Sequence, residues 1–254
     1  MASWGRDRIF AMGSLIAVSA LCWLYLARMT MSRQAGGIIC TATPGLAGTP
    51  FEQFTAAFLI WTVMMVAMML PTAMRSVDVF GSFARKRMSM IGSAPATSLF
   101  VLGYVAVWTA YSVFAAAGQV ALSRASLLAP PLPGTSVLLS AALLLLAGTF
   151  QFTPFKDACL MQCRSPVPFL LANWRDGDGA AFVLGMQQGG YCVGCCWALM
   201  GLMFVFGAMN LLWMAALSAF VLGEKIAPAL WQIDRAAGVV LILWGVLLAG
   251  RLVY

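Results

Sequence analysis

Apolar residues dominate long stretches of the chain and are separated by short polar or turn-forming segments. An α-helix of about 20 apolar residues spans the hydrocarbon core of a bilayer, because each residue adds about 1.5 Å to its length. Few polar residues separate the fifth stretch from the sixth, so six spans is the alternative to a count of seven. The predicted spans are residues 9–27, 55–74, 96–117, 136–152, 181–206, 211–229 and 236–251. We therefore expect an all-α protein, a polytopic transmembrane helix bundle that forms a single domain over residues 1–254.

Pro71 interrupts the second apolar stretch. Because proline lacks a backbone N–H, the carbonyl of Ala67 loses its usual donor, and we expect the helix to bend and to end near Met74. The following segment is predicted to be a basic loop that contains Arg75, Arg85, Lys86 and Arg87.

A different pattern follows the fourth apolar stretch. Thr153 is a favourable N-cap residue and Pro154 suits the first helical position. A short helix is therefore predicted to begin there and to end at Ser165-Pro166. Cys159 and Cys163 are four residues apart and would share one face of this helix.

The formal net charge is +7 at pH 7. Lys and Arg lie beside the apolar stretches rather than on one basic face, which indicates membrane topology and contact with lipid and gives no support to nucleic-acid binding. With the N-terminus in the cytoplasm, eleven of the 15 Lys and Arg residues fall in inner segments and four in outer ones. We therefore expect a multi-pass protein of the plasma (inner) membrane with a cytoplasmic N-terminus.

Sulfur ligands are abundant and imidazole is absent, since the chain has 17 Met, 7 Cys and no His. Thiolates and thioethers are soft ligands that suit Cu(I), so copper is the first candidate metal. Zinc is the second, because it prefers a closed site of four Cys or of Cys and His. Methionine also fills apolar space, and cysteine packs as a small residue between helices. The positions of these residues along the chain must therefore decide between a packing role and metal binding.

The sulfur-containing residues recur at helical spacing. Cys192, Cys195 and Cys196 follow the i, i+3, i+4 pattern and would point into one sector of the fifth span. The second span carries a methionine stripe, and the short helix after the fourth span adds a cysteine pair. The predicted topology brings all three features towards the inner half of the membrane. The candidate metal ligands are Cys192, Cys195, Cys196, Cys159, Cys163, Met64, Met65, Met68, Met69 and Glu224.

Glu224 is a candidate because an ionisable group within or near a span usually faces the bundle or a polar cavity. Lys225 follows it directly, but adjacent helical residues diverge by about 100°. The expected partner of Glu224 is therefore another chain segment or Arg235. Lys156 and Arg164, by contrast, are expected to be interfacial charges where the short helix meets water.

Four motifs together resemble one protein family. The motifs are Trp61 to Pro71 with its four methionines, Thr153 to Arg164 with two cysteines, Gly190 to Met200 with three cysteines, and Met209-Asn210 followed by Glu224-Lys225. They are similar to the uncharacterised family of predicted metal-binding integral membrane proteins, some of which are called copper chaperones associated with a tyrosinase-type copper oxidase. The resemblance covers about Trp61 to Lys225, in a family-like core at about residues 55–230. It implies that the candidate cysteines and methionines bind metal and that the metal is copper.

These observations favour a Cu(I)-binding integral membrane protein that acts as a copper chaperone or transporter. It would hand the metal to a copper-dependent enzyme or to another membrane subunit. No catalytic base accompanies the sulfur ligands, so we do not expect an enzyme. One alternative is a membrane thiol-disulfide oxidoreductase, since Cys192-x-x-Cys195 has the spacing of a dithiol couple. The other is a non-catalytic accessory subunit of a larger membrane complex.

Overall fold

The computed structural model describes residues 2–35, 49–87, 90–125, 128–129, 134–135, 137–175, 177–207, 210–227 and 232–250. Within these residues the chain is helical apart from one short strand pair, which confirms the all-α prediction. The helices are α1 (Ala2–Ala35), α2 (Pro50–Arg87), α3 (Met90–Arg124), α4 (Val137–Phe150), α5 (Pro154–Arg164), α6 (Pro166–Asn173), α7 (Asp178–Gly201), α8 (Met203–Phe206), α9 (Leu211–Ile226) and α10 (Ile233–Gly250). The strands β1 (Leu128–Ala129) and β2 (Gly134–Thr135) pair antiparallel. Met209, which belongs to one of the motifs, lies outside the described residues.

Several of these helices are long and apolar enough to cross a membrane. In the described part of the chain they number five, or six if α4 and α5, which meet at an angle of 66°, form one broken span. The five single helices are Arg8–Met31, Pro50–Arg87, Ser93–Arg124, Gly179–Phe206 and Ile233–Gly250. The predicted sixth span corresponds to α9, whose 16 residues reach only about 24 Å, less than the hydrocarbon core of about 30 Å. The membrane helix bundle is thus confirmed, with a number of spans close to the six or seven expected.

The helices differ in how deeply they are buried. In the apolar 18-residue stretch of the span that contains α7, 50% of the residues are buried, and in the corresponding stretch of α2 44% are buried. In those of α1 and α10 the share is 17%. Helices α2 and α7 therefore lie at the centre of the bundle, and α1 and α10 at its periphery.

The predicted basic loop after Pro71 is wrong, because α2 continues without a break to Arg87. The carbonyl of Ala67 has lost its helical donor, as expected. It instead accepts hydrogen bonds from Ser19 Oγ at 2.8 Å and from Trp23 Nε1 at 3.1 Å, both on α1. These two side chains replace the missing backbone bond, so the helix does not have to end.

The next two carbonyls of α2 also accept bonds from other helices. Met68 O accepts from Ser218 Oγ of α9 at 3.2 Å. Met69 O accepts from Tyr104 OH of α3 at 3.1 Å and from Thr72 Oγ1 one turn later at 2.8 Å. The segment around Pro71 is therefore bonded to α1, α3 and α9.

Two glycines allow α3 and α7 to pack backbone against backbone. A methyl group at Gly185 would lie 2.0 Å from the carbonyl oxygen of Phe100, and one at Gly103 would lie 2.2 Å from that of Phe182. Both distances are far shorter than any non-bonded contact between real atoms. Gly190, by contrast, faces open space. Helix α7 therefore cannot shift away from α3 without losing this contact, and its cysteines are positioned accordingly.

The short helix α5 begins as its sequence predicts. Thr153 Oγ1 accepts a hydrogen bond from the backbone N–H of Lys156 at 3.3 Å, and Pro154 occupies the first turn. The helix ends at Arg164, where Ser165 N donates to Met161 O at 2.9 Å. This confirms the predicted bounds, and α5 packs against α7.

Candidate metal centre

The three cysteines of α7 lie in the core of the bundle. Their exposed fractions are 0% for Cys192 and Cys196 and 1% for Cys195. Cys195 Sγ donates to the carbonyl oxygen of Cys192 at 3.1 Å, and Cys196 Sγ donates to the same oxygen at 3.0 Å. The two thiols therefore share one acceptor on the same side of the helix, as the i, i+3, i+4 spacing predicts.

The cysteines of α5 come close to this group. The thiol of Cys163 interacts with the thiols of both Cys192 and Cys195. Cys159 interacts with Cys195 and lies against Gly194, where an added methyl group would be only 2.7 Å from Cys159 Sγ. All five of these cysteines are free thiols. The structure thus brings the two predicted cysteine groups into one cluster, which we call the thiol cluster: Cys159, Cys163, Cys192, Cys195 and Cys196.

A lysine from α9 contacts the middle of the thiol cluster. Lys225 is 5% exposed, and its Nζ donates to Cys192 Sγ at 3.0 Å and to Thr72 Oγ1 at 2.8 Å. The hydroxyl of Tyr104 also lies 3.0 Å from Cys192 Sγ. Cys192 is therefore held by polar groups from α3 and α9, and Thr72 of α2 accepts from the lysine that contacts it.

The methionine stripe of α2 is fully buried. Met64, Met65, Met68 and Met69 are each 0% exposed. The stripe connects to the thiol cluster through the Met69 carbonyl, which accepts from the Tyr104 hydroxyl that contacts Cys192. This link runs through a backbone carbonyl and a hydroxyl rather than through methionine sulfur, so metal binding by the stripe stays a prediction.

Glu224 lies in a separate polar group. Its Oε1 is 2.5 Å from Lys156 Nζ, and Lys156 also donates to Gln151 Oε1. The backbone carbonyl of Glu224 accepts from Arg164 Nε at 2.7 Å. Glu224 therefore pairs with another chain segment, as expected, whereas Lys156 is not the predicted interfacial charge. Lys156 is 0% exposed, because the buried carboxylate compensates its charge.

The donor set fits a soft metal ion, although the thiols are engaged in other bonds. In the part of the chain that the structure describes, no three Cys, Asp or Glu side chains are already grouped to hold a metal ion. The thiols of Cys195 and Cys196 point to a backbone carbonyl, and Cys192 accepts from Lys225. As a donor set, thiolate sulfur suits Cu(I), Zn(II) and iron–sulfur clusters.

The polar residues around Cys192 were not among the predicted site residues. Tyr104 and Thr72 look like ordinary helix residues in the sequence, and only the packing of α2 and α3 on α7 gives them a role. Lys225 did carry a signal, because a lysine inside an apolar stretch usually has a specific partner. Its partner, Cys192, lies 33 positions away in the chain.

One protein-family model matches residues 58–248, and its description is PpoB2, a copper chaperone. No curated protein matches the chain. No solved structure matches it either.

The buried pair of Lys156 and Glu224 leads to a prediction about stability. Substitution Glu224→Gln leaves the Lys156 ammonium buried without a counter-charge, and we expect it to lower the free energy of unfolding by about 3–5 kcal/mol. The double variant Lys156→Met/Glu224→Gln removes both charges and should recover most of that loss. Reversible unfolding in mixed micelles measures both values. A Glu224→Gln protein as stable as the unchanged chain would contradict the pairing.

Proposed function

The chain belongs to the PpoB2 copper chaperone family, and on that premise we propose that it is an integral membrane protein that binds Cu(I) on cysteine sulfur. It then hands the ion to a copper-dependent enzyme or to another membrane subunit. Copper is the cargo in this proposal and no chemical reaction is catalysed. The observation that carries the proposal is the thiol cluster, in which free cysteines from α5 and α7 meet in the core of the bundle.

The proposed ligands are Cys163, Cys192, Cys195 and Cys196, with Cys159 at the edge of the same group. Cu(I) accepts soft sulfur ligands and needs no imidazole, which agrees with a chain that has no His. Zinc is the second candidate, because four cysteines can also form a closed zinc site. Glu224 is less suited to bind metal, since its Oε1 is already bonded to Lys156.

Met64, Met65, Met68 and Met69 are proposed as weaker sites on the way to or from the thiol cluster. Thioethers are soft and uncharged, so a copper ion would exchange between them more readily than between thiolates. Their complete burial on α2 places them inside the bundle rather than against lipid. This supports movement of the ion within the protein, either across the bilayer or towards a partner.

The copper proposal is tested by metal content. We expect the protein purified under reducing conditions to contain copper. The triple variant Cys192→Ser/Cys195→Ser/Cys196→Ser should contain roughly tenfold less, because hydroxyl oxygen is a hard ligand with low affinity for Cu(I). The matched control is Cys22→Ser, which removes a half-buried thiol on α1. Elemental analysis gives the result, and equal copper in the triple variant and the control would refute the proposal.

We further propose that the protein lies in the plasma (inner) membrane with its N-terminus in the cytoplasm, as the distribution of Lys and Arg favours. Fusion of a fluorescent protein to the N-terminus should then give fluorescent cells. Fusion of alkaline phosphatase, which folds only outside the cytoplasm, should give no phosphatase activity at the same position. The reverse pair of results would show the opposite orientation.

A second candidate function is a thiol-disulfide oxidoreductase, and the interaction of Cys163 with Cys192 and Cys195 favours it. Closing a disulfide between α5 and α7 would release two electrons and two protons, which a quinone or a partner protein would have to accept.

The two candidates differ in the state of these thiols. For the copper chaperone we expect the thiols of acid-quenched, denatured protein to be alkylated equally with and without prior reduction, because metal exchange needs no disulfide. Mass spectrometry of the labelled peptides measures this. Labelling of Cys163 together with Cys192 or Cys195 only after reduction would instead support the oxidoreductase.

A further inference from the structure

We propose that Lys225 is a specificity-determining residue of the thiol cluster, whose fixed positive charge favours a monovalent metal ion over a divalent one. The inference rests on the proposed function, because it assumes that the cluster binds metal. In this inference Lys225 does not bind the metal, but its charge helps to decide which metal ion the thiol cluster binds.

Lys225 is in direct contact with the proposed ligands. Its Nζ donates to Cys192 Sγ at 3.0 Å, and Cys163 and Cys195 are also close enough to interact with its charge. Nζ also donates to the uncharged hydroxyl of Thr72 at 2.8 Å, and the hydroxyl of Tyr104 interacts with the lysine as well. The nearest charge partner of Lys225 is therefore cysteine sulfur.

The other buried lysine, Lys156, is compensated by a carboxylate instead. Among the described residues the ion pairs within 4.0 Å are Arg8–Asp78, Lys156–Glu224 and Arg235–Asp157. Lys225 is in none of them. The charge of Lys156 is balanced by Glu224, so it contributes little at the thiol cluster. The charge of Lys225 is available to balance whatever net charge the metal complex carries.

The charge of the complex depends on the ion. Cysteine binds metal as the thiolate, and each thiol that binds gives up its proton to solvent. Two thiolates around Cu(I) leave one net negative charge, whereas two thiolates around Zn(II) leave none. At any number of thiolates the monovalent complex carries one more negative charge than the divalent complex. A fixed cation in contact with the sulfurs therefore stabilises the monovalent complex more.

The low polarity of the site makes this difference large. Lys225, Cys192 and Cys195 are all within the bundle and almost free of solvent contact. Coulomb interactions at about 4 Å are several times stronger in a protein interior than in water. A buried complex with an unbalanced charge is correspondingly unfavourable. With two thiolates, Cu(I) and the Lys225 ammonium form a neutral combination, whereas Zn(II) beside the same ammonium is neutral only when a third thiol has given up its proton.

A purely structural role for Lys225 makes a different prediction. The residue also connects α9 to α2 and α7 through Thr72 and Cys192. If that connection were its only role, its loss would weaken the binding of every metal ion to a similar degree. The ratio of the two affinities therefore separates charge from structure.

The experiment measures the Cu(I)/Zn(II) affinity ratio of the full-length protein in detergent, by competition with chelators under anaerobic, reducing conditions. We expect Lys225→Gln to lower this ratio by at least roughly tenfold, since one full charge is removed next to the sulfurs. Lys225→Arg keeps the charge and should keep the ratio. Arg235→Gln removes a half-exposed positive charge from the surface and should leave it unchanged.

An unchanged ratio in Lys225→Gln overturns the inference, and so does an equal loss of both ions. A Lys225→Arg protein with the low ratio of Lys225→Gln also overturns it, because shape rather than charge would then decide. If Lys225→Gln does not purify in folded form, the affinities of the unchanged protein for Ag(I) and Cd(II), two soft ions of different charge, are compared instead. A higher affinity for Cd(II) refutes the inference. Absence of any metal binding by the unchanged protein refutes the proposed function itself.

Discussion

Pro71 removes one backbone hydrogen bond from the middle of the longest helix described, and side chains of α1 replace it. In an apolar interior an unpaired carbonyl costs on the order of several kcal/mol, because no water is present to donate a hydrogen bond to it. Side chains of α1 satisfy Ala67, and donors from α9 and α3 bind the next two carbonyls. The missing N–H thus accounts for the bonds from α1, and the bonds to the next two carbonyls attach α2 to α9 and α3 at the same level of the bundle. The same level carries Tyr104, which contacts Cys192, and Thr72, which accepts from Lys225.

Two adjacent residues of helix α9 contact two different buried groups. Glu224 and Lys225 point in directions about 100° apart, so one reaches α5 and the other reaches α7. Glu224 balances Lys156, and Lys225 contacts sulfur. This arrangement keeps the two lysines electrically separate within a small volume. The first pair holds the corner between α4 and α5 in place, and the second contact leaves the thiol cluster with a positive charge of its own.

Features that depend on neighbouring residues in the chain were predictable from the sequence. The cap at Thr153 and the proline after it set the start of α5, and the i, i+3, i+4 spacing placed three cysteines on one face of α7. Features that depend on distant partners were not predictable. The continuation of α2 past Pro71 requires donors on α1, and the burial of Lys156 requires Glu224, 68 positions further along the chain. The contact between α5 and α7 was partly predictable, because the predicted topology already put both helices at the same depth in the membrane.

The shared carbonyl of Cys192 has a consequence for how fast the thiol cluster could change its bonding. A thiol is a weak donor, so little free energy holds Cys195 and Cys196 in their present orientations. Turning either sulfur away from that oxygen requires rotation about one side-chain bond and leaves the backbone of α7 unchanged. The glycine contacts that fix α7 against α3 can therefore remain intact throughout. Ligand exchange by side-chain rotation alone would then not have to wait for the much slower rearrangement of helices.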